Sequence, residues 1–125
     1  MSDDKGESGD DSGGDSGTLD GRVLDELFAV IESRKGGDPE ASYTAKLLAG
    51  GVETVAAKVT EEAAEAVVAG VSEDAARLAS ESADLLYHLL VLWAARGLSP
   101  EAVWAALAAR RGTSGLAEKA ARGKS

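Results

Sequence analysis

Two acidic stretches decide the fold: Lys58-Val59-Thr60-Glu61-Glu62-Ala63-Ala64-Glu65 and, further along the chain, Glu81-Ser82-Ala83-Asp84. Both stretches lie in segments whose apolar residues recur at helical spacing. Because a helix advances about 100° per residue, the three glutamates of the first stretch share one narrow face with Lys58. Glu81 and Asp84 are three residues apart, so they also lie one above the other. The sequence therefore predicts two helices, each with carboxylates along the border of its apolar face.

Rows of acids on two successive helices have two explanations. They can be solvated faces, which is the common case for acids on an alanine-rich helix. They can also form a cation site, because carboxylates held side by side repel one another unless a cation lies between them. The run from Leu85 to Trp93 is apolar nearly all round, so we expect its helix to be buried on most sides and Asp84 to enter a packed interior. This expectation favours the cation site.

Composition limits the class of protein. With 125 residues we expect one domain, and without cysteine we expect no disulfide framework and no thiolate site. No apolar run is long enough to cross a membrane, and the polar, acidic start excludes a secretory signal, so we expect a cytoplasmic protein. The net charge of −9 argues against nucleic acid as a partner.

The order of segments predicts an all-α fold. Residues 1–17 contain six acids, one lysine and no apolar residue after Met1, so we expect a disordered tail. The helices predicted for the domain at 18–111 span residues 19–35, 43–48, 52–69, 73–96 and 101–111. Gly70 is predicted to close the third helix and Ser72 to cap the fourth. The short loops favour an antiparallel helical bundle, and residues 112–125 are predicted to be a basic, flexible tail.

Carboxylate oxygens without sulfur or paired histidine ligands suit a hard cation, Mg²⁺ or Mn²⁺, rather than zinc. Such a site can polarise a phosphoryl oxygen and activate a bound water, so the residues alone indicate metal-dependent hydrolysis of a phosphoanhydride. Lys58 could bind a phosphate or could pair with Glu61 or Glu62 along its helix. His88 could touch the substrate or could be a core residue with satisfied hydrogen bonds.

Four stretches of the chain resemble a known family. They are Ser42-Tyr43-Thr44-Ala45-Lys46-Leu47-Leu48, Lys58-Val59-x-Glu61-Glu62, Asp84 to Leu92, and Arg111-Gly112-x-Ser114-Gly115-x-x-Glu118-Lys119-Ala120. The acidic signature resembles that of the all-α nucleoside triphosphate pyrophosphatases, the MazG-like superfamily. The first and last stretches are similar to the phosphoribosyl-ATP pyrophosphatase family in particular, in its stand-alone form. The similarity covers about residues 23–122.

The resemblance implies hydrolysis of phosphoribosyl-ATP to phosphoribosyl-AMP and pyrophosphate with Mg²⁺, the second step of histidine biosynthesis. It also implies a homodimer that completes the helical bundle. The implied metal ligands are Glu62, Glu65, Glu81 and Asp84, and Glu61 is implied to be a further ligand or to orient the attacking water.

Substrate contacts are predicted at Ser42, Tyr43, Thr44, Lys58, His88, Arg110, Arg111, Lys119 and Arg122. The last four form the one cationic cluster that we find in the sequence. They suit a second phosphate group, or they are the solvated end of a helix and a frayed tail.

Two other functions remain open at the level of sequence. One is a pyrophosphatase for ordinary or damaged nucleoside triphosphates, which would use the same metal chemistry. The other is a helical dimerisation module without catalysis, for which no property should depend on Mg²⁺.

Overall fold

The computed structural model describes residues 19–111, which contain five α-helices and no strand. The helices are α1 (Arg22–Ser33), α2 (Tyr43–Ala49), α3 (Val52–Ser72), α4 (Ala75–Arg96) and α5 (Pro100–Ala108). The predicted all-α class is therefore confirmed for this part of the chain. None of these helices is both long enough and apolar enough to cross a membrane. The tails predicted at 1–17 and 112–125 lie outside the described residues.

The turn between α3 and α4 differs from the prediction. Gly70 does not end α3, which continues to Ser72, and the Ser72 hydroxyl donates to the carbonyl of Val68 instead of capping α4. The cap is Asp74, whose carboxylate accepts the backbone N–H of Arg77 at 2.9 Å. A glycine weakens a helix without breaking it, whereas a carboxylate satisfies an orphan N–H at the positive end of the helix. The stronger cap therefore places the start of α4 later than predicted.

The other predicted helix ends hold to within a few residues. The Ser42 hydroxyl caps α2 by accepting the backbone N–H of Ala45 at 3.1 Å. Ser99 caps α5, and Pro100 occupies the first helical position, where no N–H is needed. Gly97 ends α4 in the left-handed conformation, with a φ of 73° that other residues rarely adopt.

Helices α3 and α4 form an antiparallel hairpin that carries both the core and the acidic residues. Val55, early in α3, shares a buried cluster with Leu90, late in α4, whereas Glu62 lies beside Glu81, nearer the connecting turn. The buried cluster consists of Ile31 from α1, Leu47 from α2, Val55 from α3, and Leu90, Val91 and Ala94 from α4. Thus α1 and α2 cover the half of the hairpin that is farther from the acids.

Trp104 of α5 contacts both α1 and α4. Trp104 Nε1 donates to the Asp25 carboxylate on α1 at 2.9 Å, and its ring meets Trp93 of α4 edge-on with centroids 6.0 Å apart. Since Trp93 is nine residues beyond Asp84, this contact lies about 13 Å from it along the α4 axis.

Helix α4 is less buried than its sequence predicts. Leu86 is 43% exposed and Asp84 is exposed, so the prediction that Asp84 enters a packed interior is wrong for this chain. By helical geometry Asp84 lies on the same side of α4 as the buried His88 and Val91. It is uncovered because α1 and α2 pack farther along the helix. Within residues 19–111, α1 and α2 therefore do not cover the end of the hairpin nearer the turn between α3 and α4.

Candidate active site

Three of the predicted ligands come together on the hairpin. Glu62 from α3 and Glu81 and Asp84 from α4 each offer one carboxylate oxygen, and these oxygens all lie within 4.8 Å of one another. Glu62 and Glu81 are only 8% and 6% exposed, whereas Asp84 is open to solvent. The spacing predicted from the sequence therefore gives a compact group of acids with two buried members.

Glu81 has an oxygen with no partner. Its Oε1 atom is buried and makes no hydrogen bond within the described residues. Burial raises the pKa of Glu81, the charge of Arg77 opposes that rise, and the carboxylates of Glu65 and Asp84 add to it. Glu65 is therefore a neighbour of Glu81, although it lies outside the group of three. A buried carboxylate oxygen without a donor is costly, and a cation would relieve that cost.

The donor set fits a hard divalent cation. All of the converging atoms are carboxylate oxygens, which Mg²⁺ and Mn²⁺ prefer, and the exposed Asp84 leaves room for water or phosphate oxygens as further ligands. Zinc sites in proteins are usually built with histidine or cysteine ligands, and the chain has no cysteine. Glu62, Glu81 and Asp84 could therefore hold such a cation, and Glu65 lies beside Glu81.

Lys58 lies on the same face and is paired with acids of its own helix. Its Nζ donates to Glu61 Oε1 at 2.8 Å and lies 3.6 Å from Glu62 Oε2. The hydrogen bond with Glu61 raises the pKa of Lys58 and lowers the pKa of Glu61. The sequence left two roles open for Lys58, and the structure shows the ion pair with an acid of its own helix. Glu61, the partner in this pair, is not one of the three converging acids.

His88 is buried and has a partner on each ring nitrogen. Its Nδ1 lies 2.8 Å from the backbone carbonyl of Asp84, and its Nε2 lies 3.1 Å from the hydroxyl of Tyr43. A carbonyl only accepts, so Nδ1 carries a proton, and in the neutral imidazole Nε2 then accepts from the tyrosine. His88 is thus a satisfied core histidine that ties α2 to the helical turn carrying Asp84.

The predicted Ser42-Tyr43-Thr44 stretch borders a cavity. Ser42 caps α2, Tyr43 is half exposed, and Thr44 shares a hydrogen bond with the hydroxyl of Tyr87. A cavity of about 530 Å³ lies beside them, and Arg34 and Asp38 are also in its wall. Sequence reasoning missed Arg34, which follows the apolar run of α1 and looks like an ordinary helix end. Tyr43 lines this cavity and is also hydrogen-bonded to His88 of α4. The cavity therefore adjoins the acidic hairpin.

Arg77 is the other residue that sequence reasoning missed. Its guanidinium donates to Glu81 Oε2 at 2.7 Å and more weakly to Glu73 Oε1 at 3.4 Å. The position four residues before Glu81 is the signal that could have found it. The predicted basic residues at 110–122 are therefore not the only source of positive charge, because Arg77 contacts the acidic group directly.

The basic residues predicted to hold a second phosphate are only partly described. Arg110 and Arg111 are exposed beyond the end of α5, and neither forms an ion pair within residues 19–111. Lys119 and Arg122 lie outside the described range. Their part in substrate binding stays a prediction.

Comparison with known proteins adds the family. The sequence model described as phosphoribosyl-ATP pyrophosphohydrolase matches residues 24–111. A protein of Azospirillum brasilense named phosphoribosyl-ATP pyrophosphatase is 60% identical over 100 residues, covering 80% of this chain and 90% of the relative. Proteins of the same name from Paramagnetospirillum magneticum and Cereibacter sphaeroides are 58% and 59% identical, over 84% and 81% of this chain and 96% and 98% of their own lengths.

Proposed function

The chain belongs to the phosphoribosyl-ATP pyrophosphohydrolase family, and we propose that it hydrolyses phosphoribosyl-ATP to phosphoribosyl-AMP and pyrophosphate with Mg²⁺. This reaction is the histidine-biosynthesis step implied by the sequence resemblance. The family lies within the all-α MazG-like superfamily. The observation that carries the assignment to this site is the convergence of Glu62, Glu81 and Asp84, with Glu81 Oε1 buried and unpartnered.

Each acid on the hairpin has a proposed task. Glu62, Glu81 and Asp84 would hold the divalent cation, and Glu65 would join them through its position next to Glu81. A bound cation supplies charge stabilisation for the phosphoryl oxygens and lowers the pKa of a coordinated water. Glu61, exposed and adjacent, would accept a hydrogen bond from the attacking water and so orient it.

The rest of the substrate needs contacts outside the acidic group. We assign the cavity beside Ser42, Tyr43 and Thr44 to the part of phosphoribosyl-ATP beyond the triphosphate, because it offers hydroxyl groups and the Arg34 guanidinium. Lys58, whose Nζ lies 3.6 Å from Glu62 Oε2, would contact a phosphate group bound beside the carboxylates. His88 would act through Tyr43, which it holds by a hydrogen bond.

A second copy of the chain is proposed to cover the open end of the hairpin. Val67 and Val71 near the end of α3 and Leu78 near the start of α4 are 64%, 83% and 39% exposed. Exposed apolar side chains concentrated on one region are typical of an interface. Sedimentation equilibrium should give the mass of a homodimer, and a monomer mass would contradict this proposal. As an enzyme of amino-acid biosynthesis, the protein is expected in the cytoplasm.

The substrate is tested by measuring pyrophosphate release from phosphoribosyl-ATP, ATP and dATP, each with Mg²⁺ and with EDTA. We expect turnover only with Mg²⁺ and a kcat/KM for phosphoribosyl-ATP at least about tenfold above those for the other nucleotides, since unfilled phosphate contacts are costly. Equal efficiency on dATP would favour a general nucleoside triphosphate pyrophosphatase. Release that persists in EDTA would contradict the metal-dependent mechanism.

A further inference from the structure

Arg77 occupies one of the two oxygens of the buried Glu81 carboxylate. Its NH2 group lies 2.7 Å from Glu81 Oε2, while Oε1 of the same carboxylate has no partner. The guanidinium thus satisfies half of a buried anion whose other half remains unsatisfied. More than half of the Arg77 side chain is exposed, so it can leave Glu81 without opening the core.

Helix stability alone is a weak explanation for this pair. On an isolated helix an acid placed four residues before a base stabilises more than the reverse order. Here Arg77 precedes Glu81 and Lys58 precedes Glu62, which is the weaker order in both cases. Each helix therefore supplies a cation to its buried acid at a place where the gain in local helix stability is small.

The cavity around Arg77 has the charge of a phosphate site only when the acids are neutralised. A cavity of about 360 Å³ is lined by Glu65, Glu73, Glu81 and Arg77, together with Ala64 and Val68. Three of its four charged wall residues are acids, so an anion is repelled from it as it stands. A divalent cation on Glu81 would cancel the net negative charge of these four wall residues and would weaken the electrostatic attraction that holds Arg77 on that carboxylate.

We propose that Arg77 is the internal counter-ion of Glu81, that the divalent cation displaces it, and that the released guanidinium then binds a phosphate group of the nucleotide. This inference rests on the proposed function for its nucleotide half. The planar fork of arginine suits both partners, since it pairs with carboxylate and with phosphate in the same bidentate manner. Cation binding and nucleotide binding are then coupled through one side chain, and the coupling is reciprocal.

The test compares Arg77→Gln with Arg96→Gln, which removes the same charge from the far end of α4. First, Mn²⁺ is titrated calorimetrically into each protein without nucleotide. Arg77→Gln should bind Mn²⁺ about two- to fivefold more tightly than the wild type, which corresponds to the free energy of a partly exposed ion pair. Arg96→Gln should match the wild type, because it lies about 18 Å from Asp84 along the helix, beyond the Debye length at 0.15 M salt.

Second, KM for phosphoribosyl-ATP is measured at saturating Mg²⁺. Arg77→Gln should raise KM about tenfold, and Arg77→Lys should fall between it and the wild type because lysine keeps the charge without the fork. Tighter cation binding together with weaker nucleotide binding is a signature that a structural role would not give.

Two outcomes would overturn the inference. Weaker Mn²⁺ binding in Arg77→Gln would make Arg77 an aid to the cation and not its competitor. An unchanged KM in Arg77→Gln would remove its contact with the nucleotide. If the wild type releases no pyrophosphate, the proposed function fails instead, and the Mn²⁺ titrations still decide whether Arg77 and the cation compete for Glu81.

Discussion

Glu81 is a buried member of the acidic group, and its position in the sequence explains only part of its environment. The spacing of Glu81 and Asp84 predicted that both would lie on one face, and the structure places both beside Glu62. The prediction that Asp84 is buried was wrong. Its exposure depends on where α1 and α2 pack and not on the periodicity of α4. Arg77 was missed because an arginine four residues from a glutamate is an ordinary surface pair in most helices.

Replacing Glu81 by Gln should not destabilise the protein when divalent cations are removed by EDTA. The pKa of Glu81 is raised in the folded state, mainly by burial, so the ionised side chain opposes folding at neutral pH. The free energy of unfolding of the wild type should therefore rise relative to that of Glu81→Gln as the pH falls from 7 toward the ordinary carboxyl range. Glutamine does not titrate, so the variant should lack this part of the slope and be at least as stable as the wild type at pH 7.

Urea denaturation in EDTA at pH 7 and pH 5.5 checks this expectation. Glu26→Gln is the control, because Glu26 is exposed on α1 and away from the acidic group. A Glu81→Gln protein that is less stable than the wild type at pH 7 would make Glu81 a structural residue.

At the scale of the element, the hairpin of α3 and α4 was predicted well in its middle and poorly at its turn. Apolar periodicity identifies long helices, so the middle portions of α3 and α4 can be predicted from the sequence. The turn depends on competition between neighbouring caps, and Ser72 and Asp74 are both good candidates by residue type. The structure selects Asp74, because Ser72 still belongs to α3, whereas Asp74 has the extended backbone of an N-cap and accepts the N–H of Arg77.

This choice gives a matched pair of variants. Asp74→Ala should lower the free energy of unfolding by about 1 kcal/mol, the usual cost of losing an N-cap. Ser72→Ala should change it by less than about 0.5 kcal/mol, the scale of ordinary surface substitutions. Chemical denaturation of the two variants checks this, and the reverse order would restore Ser72 as the cap. The comparison matters for the site because the same turn positions Arg77 and Glu81.

At the scale of the whole molecule, the all-α class and the meeting of the two acidic helices were both predictable. The first follows from apolar spacing, and the second from the short turn that forces α3 and α4 to lie side by side. The cavity beside Tyr43 and Thr44 was not predictable, since it forms where the loop after α1 passes the start of α2. Long-range pairs such as Tyr43 with His88 leave no periodic signal in the sequence.

The central claim is that Glu62, Glu81 and Asp84 hold the divalent cation, and Mn²⁺ titration without nucleotide tests it most directly. The wild type and the control Glu26→Gln should bind Mn²⁺ saturably and equally. Glu62→Gln and Asp84→Asn should each lose at least about tenfold in affinity, on the order of 1.4 kcal/mol, while their helical circular dichroism stays that of the wild type. Wild-type Mn²⁺ affinity in folded Glu62→Gln and Asp84→Asn proteins would contradict the claim.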